Sequence, residues 1–235
     1  MRELRRALSL LTILPVRADW EDPTPLGRSM VWYPCVGAAL GLVLMLAALA
    51  LHAAPELLRA ALLVALWAVL TGGLHLDGWA DCCDGLLAAA EPARRLEILK
   101  DSRVGGFGAT GLVLLLLVKT AALAALSARP DGLLLAATLA RCVVVPVAAW
   151  WPAARAGGMG ERFRAGLGPL PLLVALFALV FVGSDCPAAV VAALVTAWGL
   201  AHFAAGRLGG LTGDVYGAVI EAAETAVLVT VALAR

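Results

Sequence analysis

GATGLVLLLLVKTAALAAL, residues 108–126, carries a single charged side chain, Lys119. About 20 apolar residues suffice to cross the hydrocarbon core of a bilayer as a helix. Lipid offers the backbone no hydrogen-bond partners, so such a run has to satisfy its own amides as a helix, and it lacks the alternation of a membrane β-barrel. Runs of the same kind recur at 31–51, 57–74, 133–151, 170–183, 187–205 and 215–234. The run at 170–183 is short and can be one arm of a helical hairpin. The pattern predicts an all-α, polytopic integral membrane helix bundle of about 6–8 transmembrane helices.

The composition agrees. Of 235 residues, 62% are hydrophobic and 15% charged, with a mean hydropathy of +0.93. Soluble domains are nearer a quarter charged, and one soluble core could not hide this much apolar surface. A bundle of this size is expected to be one domain, residues 1–235. A net charge of +1 gives no electrostatic grip on nucleic acid.

The N-terminal stretch MRELRRALSLLTILPV, residues 1–16, is basic and then apolar. Its apolar run stops at Pro15-Val16-Arg17 without the small-residue pattern of a signal-peptidase site. It is read as an amphipathic interfacial helix, with Arg2, Arg5 and Arg6 at the lipid headgroups. With this end in the cytosol, Arg17, Arg28, Arg94, Arg95, Lys100, Arg103, Arg155, Arg162, Arg164 and Arg207 also fall inside, and only Arg59, Arg129 and Arg235 outside. That bias follows the positive-inside rule and puts the long polar loops in the cytosol. Trp20, Trp32, Trp67, Trp79, Trp150, Trp151 and Trp198 fall near span ends, as an aromatic belt does. Cys35, Cys82, Cys83, Cys142 and Cys186 have neither zinc-site spacing nor a disulfide framework and are read as packing residues.

Against this oily background HLDGWADCCDG, residues 75–85, concentrates acid. Asp77, Asp81 and Asp84 are spaced i, i+4, i+7, which puts three carboxylates on one helix face. An all-oxygen set suits Mg²⁺. The plain alternative is a solvated helix start whose acids complement the dipole. A second stripe lies in GGLTGDVYGAVIEAAET, residues 209–225, where Asp214, Glu221 and Glu224 share a face and the glutamates enter an apolar span. Ionisable groups at such depth face a protein interior and are functional by default, although Arg141 or Lys119 could pair with them simply to hold the bundle together.

Between the stripes comes RRLEILKDSRVGGFGATG, residues 94–111. Arg94, Arg95, Lys100 and Arg103, with the amides of Gly105 and Gly106 at a helix start, are suited to a phosphate or diphosphate. His75, abutting the aspartates, is a candidate general base or hydrogen-bond donor. Carboxylates, a divalent cation and phosphate clamps together suggest phosphoryl transfer.

At these residues the chain resembles the cobalamin synthase (adenosylcobinamide-GDP ribazoletransferase) family. The matching stretches are LTILPV (11–16), WYPCVGAALG (32–41), TGGLHLDGWADCCDGLLAA (71–89), residues 94–111, PAARAGGMG (152–160) and residues 209–224. Trp79, Cys82-Cys83 and Val215-Tyr216 depart from the family's usual residues but touch no acid. The resemblance implies a multi-pass enzyme of the cell inner membrane, its active site facing the cytosol. Its substrates are adenosylcobinamide-GDP and alpha-ribazole or its 5′-phosphate, and its products are adenosylcobalamin or its phosphate and GMP, with Mg²⁺ required. Membrane lipid surrounds it, and an oligomer is left open. On this reading Asp77, Asp81, Asp84, Asp214 and Glu221 hold metal, while Asp81, Asp84, Glu221, Glu224 and His75 serve catalysis. Lys100, Arg103, Arg94, Arg95, Gly105 and Gly106 bind phosphate. Two alternatives stand beside it: a CDP-alcohol phosphotransferase, whose DxxDG opening Asp81–Gly85 echoes, and a cation transporter using the buried acids.

Overall fold

The computed structural model describes residues 1–17, 24–126 and 129–234, so Trp20 of the expected belt and Arg235 of the expected outer set lie outside the described residues. The chain runs through α1 (Arg2–Leu11), a 3-10 segment (Leu26–Trp32) continuing into α2 (Tyr33–Ala50), α3 (Glu56–Leu70), α4 (Leu74–Leu87) and α5 (Pro92–Ile98). It continues with α6 (Gly106–Ala125), α7 (Asp131–Trp150), α8 (Met159–Arg164), α9 (Pro169–Gly183), α10 (Pro187–Leu208) and α11 (Gly213–Leu233).

Among the described residues five helices are long and apolar enough to cross a membrane: Leu26–Ala50, α6, α7, α10 and α11. The expected span at 57–74 is instead broken. α3 ends at Leu70, the chain turns through Gly72 and Gly73, both at positive φ, and α4 leaves at 93° to α3. Glycine takes that left-handed backbone without the steric cost a Cβ imposes. Counted as one bent crossing, α3 and α4 make a sixth span, and α9 is the short helix the 170–183 run predicted.

α7 and α11 form the centre. In α7 83% of the most apolar window is buried, against 28% in α6 and in α10, whose Leu114, Leu117, Val191 and Val195 point outward. Bilayer hydrocarbon is as apolar as leucine, so close helix contact has to come from small residues rather than from hydrophobic burial. α2 meets α7 through Gly37 and Gly41, where a Cβ would come within 2.7 Å of the Ala137 carbonyl and 2.6 Å of Leu134 Cα. α10 supplies Ala189, Ala193, Ala197 and Ala201, all fully buried and one turn apart.

Two details depart from expectation. Arg6 turns inward, is buried, and donates to the Thr24 carbonyl, so it is not at a headgroup. Trp67 is not a belt residue either: it is 2% exposed and lies under the Lys119 ammonium, 4.2 Å from the ring centroid.

Candidate active site

α4 lies across the starts of α6 and α11, and glycines set how close. A Cβ at Gly78 would stand 2.7 Å from the Asp214 carbonyl. One at Gly108 would stand 2.9 Å from the Ala80 carbonyl. Trp79 Nε1 donates to the Gly111 carbonyl at 2.9 Å, and Cys83 packs where a Gly111 side chain would be, so these unusual residues form the α4–α6 seam.

The crossing brings Asp214 to the three aspartates of α4. Asp77 is exposed, while Asp81, Asp84 and Asp214 are half-buried. Asp81 sits in the middle, half-buried and within reach of the charges of Asp77, Asp214 and Asp84. Asp84 has taken a different job. Its oxygens accept from the Gly105 amide at 2.7 Å and the Gly108 amide at 2.8 Å, capping α6 from a distant helix. Carboxylate and helix dipole reinforce each other there, by up to about 2 kcal/mol in a partly buried setting. The expected phosphate-binding amide of Gly105 is therefore already engaged, whereas Gly106 faces open space.

Asp214 is fixed by its own helix start. The Thr212 hydroxyl accepts from the Val215 amide at 3.4 Å and contacts Asp214 Oδ2 at 3.1 Å. The preceding strand-like pairing joins two loops: Leu211 donates to the Pro152 carbonyl at 2.8 Å and Ala154 to the Leu211 carbonyl at 3.0 Å. Gly160 lies so close that a Cβ would meet the Leu211 carbonyl at 2.3 Å. That pairing carries Arg155 alongside, where its charge and that of Asp77 both act on Asp214. Arg155 Nη1 is buried without a partner among the described residues. Sequence reasoning gave Arg155 no role in the site. The signal was its place in a glycine-rich stretch, residues 152–160, whose glycines allow that loop to approach residues 210–212.

The expected cationic clamps are placed otherwise. Arg95 is buried and caps the end of α4, donating to the carbonyls of Gly85 at 3.2 Å, Leu86 at 2.6 Å and Ala90 at 2.7 Å. It is a structural cap, not a free phosphate ligand, because its bonds to Gly85 and Leu86 satisfy carbonyls that the helix end leaves orphaned. Arg94 is exposed and paired with Glu97 at 2.7 Å. Arg103 is exposed and chelates Asp101 through two nitrogens, holding that carboxyl down at about 2. Lys100 is exposed on the same loop.

Glu221 and Glu224 are not brought to the aspartates. Seven and ten residues beyond Asp214, they lie about 10 and 15 Å further along α11. Both are buried. Lys119 holds Glu221 at 2.8 Å and also Glu224, and Arg141 bonds the other oxygen of Glu224. Each glutamate thus faces a cation. His75 is also buried.

The model of the cobalamin-5-phosphate synthase family matches residues 3–232. A protein of Stutzerimonas stutzeri strain A1501, named adenosylcobinamide-GDP ribazoletransferase, is 43% identical over 99% of this chain and 98% of its own length. Proteins of the same name from Pseudomonas paraeruginosa strain PA7 and Pseudomonas aeruginosa strain PAO1 are 44% and 43% identical, each over 99% of this chain and 98% of the relative. No solved structure matches the chain. With its motifs in order from end to end and a family match of this extent, the chain belongs to the cobalamin-5-phosphate synthase family.

Proposed function

We propose that the protein is an adenosylcobinamide-GDP ribazoletransferase of the cell inner membrane, with its N-terminus and active site on the cytosolic side. The observation that carries this reading is the convergence of Asp77, Asp81 and Asp214, from two segments far apart in sequence, beside Arg155, whose Nη1 is buried without a partner among the described residues. The positive-inside distribution of loop charges supports the orientation.

The donor set fits Mg²⁺. Among the described residues no three acidic, histidine or cysteine side chains form a ready cage. Magnesium in phosphoryl-transfer sites commonly takes one or two carboxylates and completes its shell with water and substrate phosphates. Asp77 and Asp214 would hold it, and when bound it neutralises charge on the diphosphate. Asp84 keeps the start of α6 in place against α4. The ribazole 3′-hydroxyl attacks the phosphorus nearest the cobinamide, forming a new P–O bond. The bond from that phosphorus to the bridging oxygen breaks, and the oxygen leaves with GMP. Asp81, between Asp77 and Asp214, accepts the hydroxyl proton as a positioned carboxylate base. Arg155 offsets charge on the phosphates, a task that charge-assisted hydrogen bonds do well, and Lys100 assists from its exposed loop. Positioning and charge stabilisation are most of what phosphoryl transfer needs.

The test is GMP release by detergent-solubilised protein given adenosylcobinamide-GDP and alpha-ribazole, with and without Mg²⁺. Magnesium-dependent GMP together with a cobalamin product is expected. Folded protein that releases no GMP from this pair, but transfers a headgroup from CDP-diacylglycerol, would replace this reading with the CDP-alcohol one.

A further inference from the structure

Beside the aspartates lies a cavity of about 140 Å³ that the chemistry above leaves unused. Elements from α1, the 3-10 segment, α4, α7, α8 and α11 enclose it, and its walls are mostly apolar, with Leu11, Met30, Val144, Met159, Phe163 and Ile220. Phe163 meets the Tyr216 ring edge-on, 5.6 Å between centroids, giving an aromatic wall.

Tyr33, His75 and Tyr216 are buried polar side chains that interrupt this lining. His75 and Tyr216 are each 4% exposed, and His75 Nδ1 and Tyr216 Oη have no hydrogen-bond partner among the described residues. Buried polar atoms are rarely left unpaired, because desolvation without a partner is costly. Two such atoms on one cavity mark where a ligand supplies the partner. Asp77 and Asp214 complete the lining, and Asp77 is exposed, so the cavity adjoins the aspartate cluster.

We propose that this cavity receives the aromatic base of the nucleoside acceptor, seating the benzimidazole of ribazole against Phe163, Met159 and Ile220, with the sugar hydroxyls at Asp77 and Asp214. The inference rests on the ribazoletransferase reading and adds to it a subsite. Size favours this occupant: a cavity of about 150 Å³ holds one benzene ring, so a small planar base fits with an edge at the mouth, whereas a corrin macrocycle does not. Polarity favours it too. Guanine carries donors and acceptors around most of its edge, and apolar walls would leave the majority unmet. Benzimidazole in a riboside presents one ring-nitrogen acceptor on an otherwise apolar outline. Tyr216 Oη donates to that nitrogen, and His75 Nδ1 adds a second polar contact.

The test uses the full chain in detergent and varies each substrate in turn. Tyr216→Phe keeps the ring and removes only the hydroxyl. It should raise KM for alpha-ribazole about tenfold, while kcat and KM for adenosylcobinamide-GDP stay within about twofold. Phe163→Ala widens the cavity and should shift kcat/KM toward ribosides of bulkier bases. Equal rises in both KM values, or a loss of kcat alone, overturn the proposal. Calorimetric binding of alpha-ribazole, without magnesium or the GDP substrate, separates the subsite from the reaction. Weaker binding by Tyr216→Phe in a protein that never releases GMP sinks the transferase reading and leaves the subsite standing. Undiminished binding by Tyr216→Phe in a protein that does release GMP overturns the subsite and leaves the reaction.

Discussion

Two acidic groups in this molecule look alike in the sequence and differ in what surrounds them. Asp77, Asp81, Asp84 and Asp214 meet where α4 crosses α6 and α11, half in solvent, and repel one another. Glu221 and Glu224 lie deeper and are fully buried, yet Lys119 and Arg141 answer them charge for charge. Burial alone would have named the glutamates as the chemical centre. Countercharge points the other way: the glutamates are already partnered by cations, while the aspartates are the group to which our proposal assigns a metal and the phosphates. The contrast teaches that an acid's function is read from the charge it lacks.

Asp81→Asn probes the aspartate side and carries the largest expected effect. The amide keeps the shape but neither accepts the proton nor adds charge, so turnover should fall by on the order of 10³-fold. The variant should insert and purify as the parent does. GMP release at saturating substrates measures it, and parent-like turnover would end the assignment of the aspartates to the chemistry.

Glu224→Gln probes the other side. It leaves the Arg141 guanidinium buried without its carboxylate, and breaking one partner of a buried pair typically costs about 3–5 kcal/mol. The expected outcome is a large drop in melting temperature, with the specific activity of the folded fraction close to the parent's. Replacing Arg141 and Glu224 together by leucines should recover most of the stability, because a packed apolar pair can substitute for a buried ion pair. Loss of turnover at unchanged stability would erase the contrast and return Glu224 to catalysis.

How much of this was legible beforehand follows the range of the forces involved. The apolar runs and the i, i+4, i+7 aspartates are local patterns, and the bundle and the α4 face could be read from them. The break at Gly72–Gly73 was less visible, because hydropathy is blind to a pair of positive-φ glycines inside an apolar run. Which cation serves which acid depends on helix packing, so Arg95 looked like a clamp until its bonds to the Gly85 and Leu86 carbonyls made it a cap. Likewise Gly105 looked like a phosphate amide until Asp84 occupied it. Arg155 went unassigned because the pairing that delivers it joins residues 152–154 to residue 211, a contact no local pattern encodes.

The smallest effect is a response to magnesium, and it separates the two regions. Neighbouring carboxylates repel one another, and a cation bound among them relieves that repulsion. Added Mg²⁺ should therefore raise the parent's melting temperature by on the order of a few degrees. Asp81→Asn removes one of the aspartate charges, so the rise should shrink in that variant. Glu224→Gln should keep the parent's rise, since Lys119 and Arg141, not the aspartates, face Glu224. A magnesium effect confined to the aspartates would sharpen the contrast; one that followed the glutamates instead would reverse which group is the site.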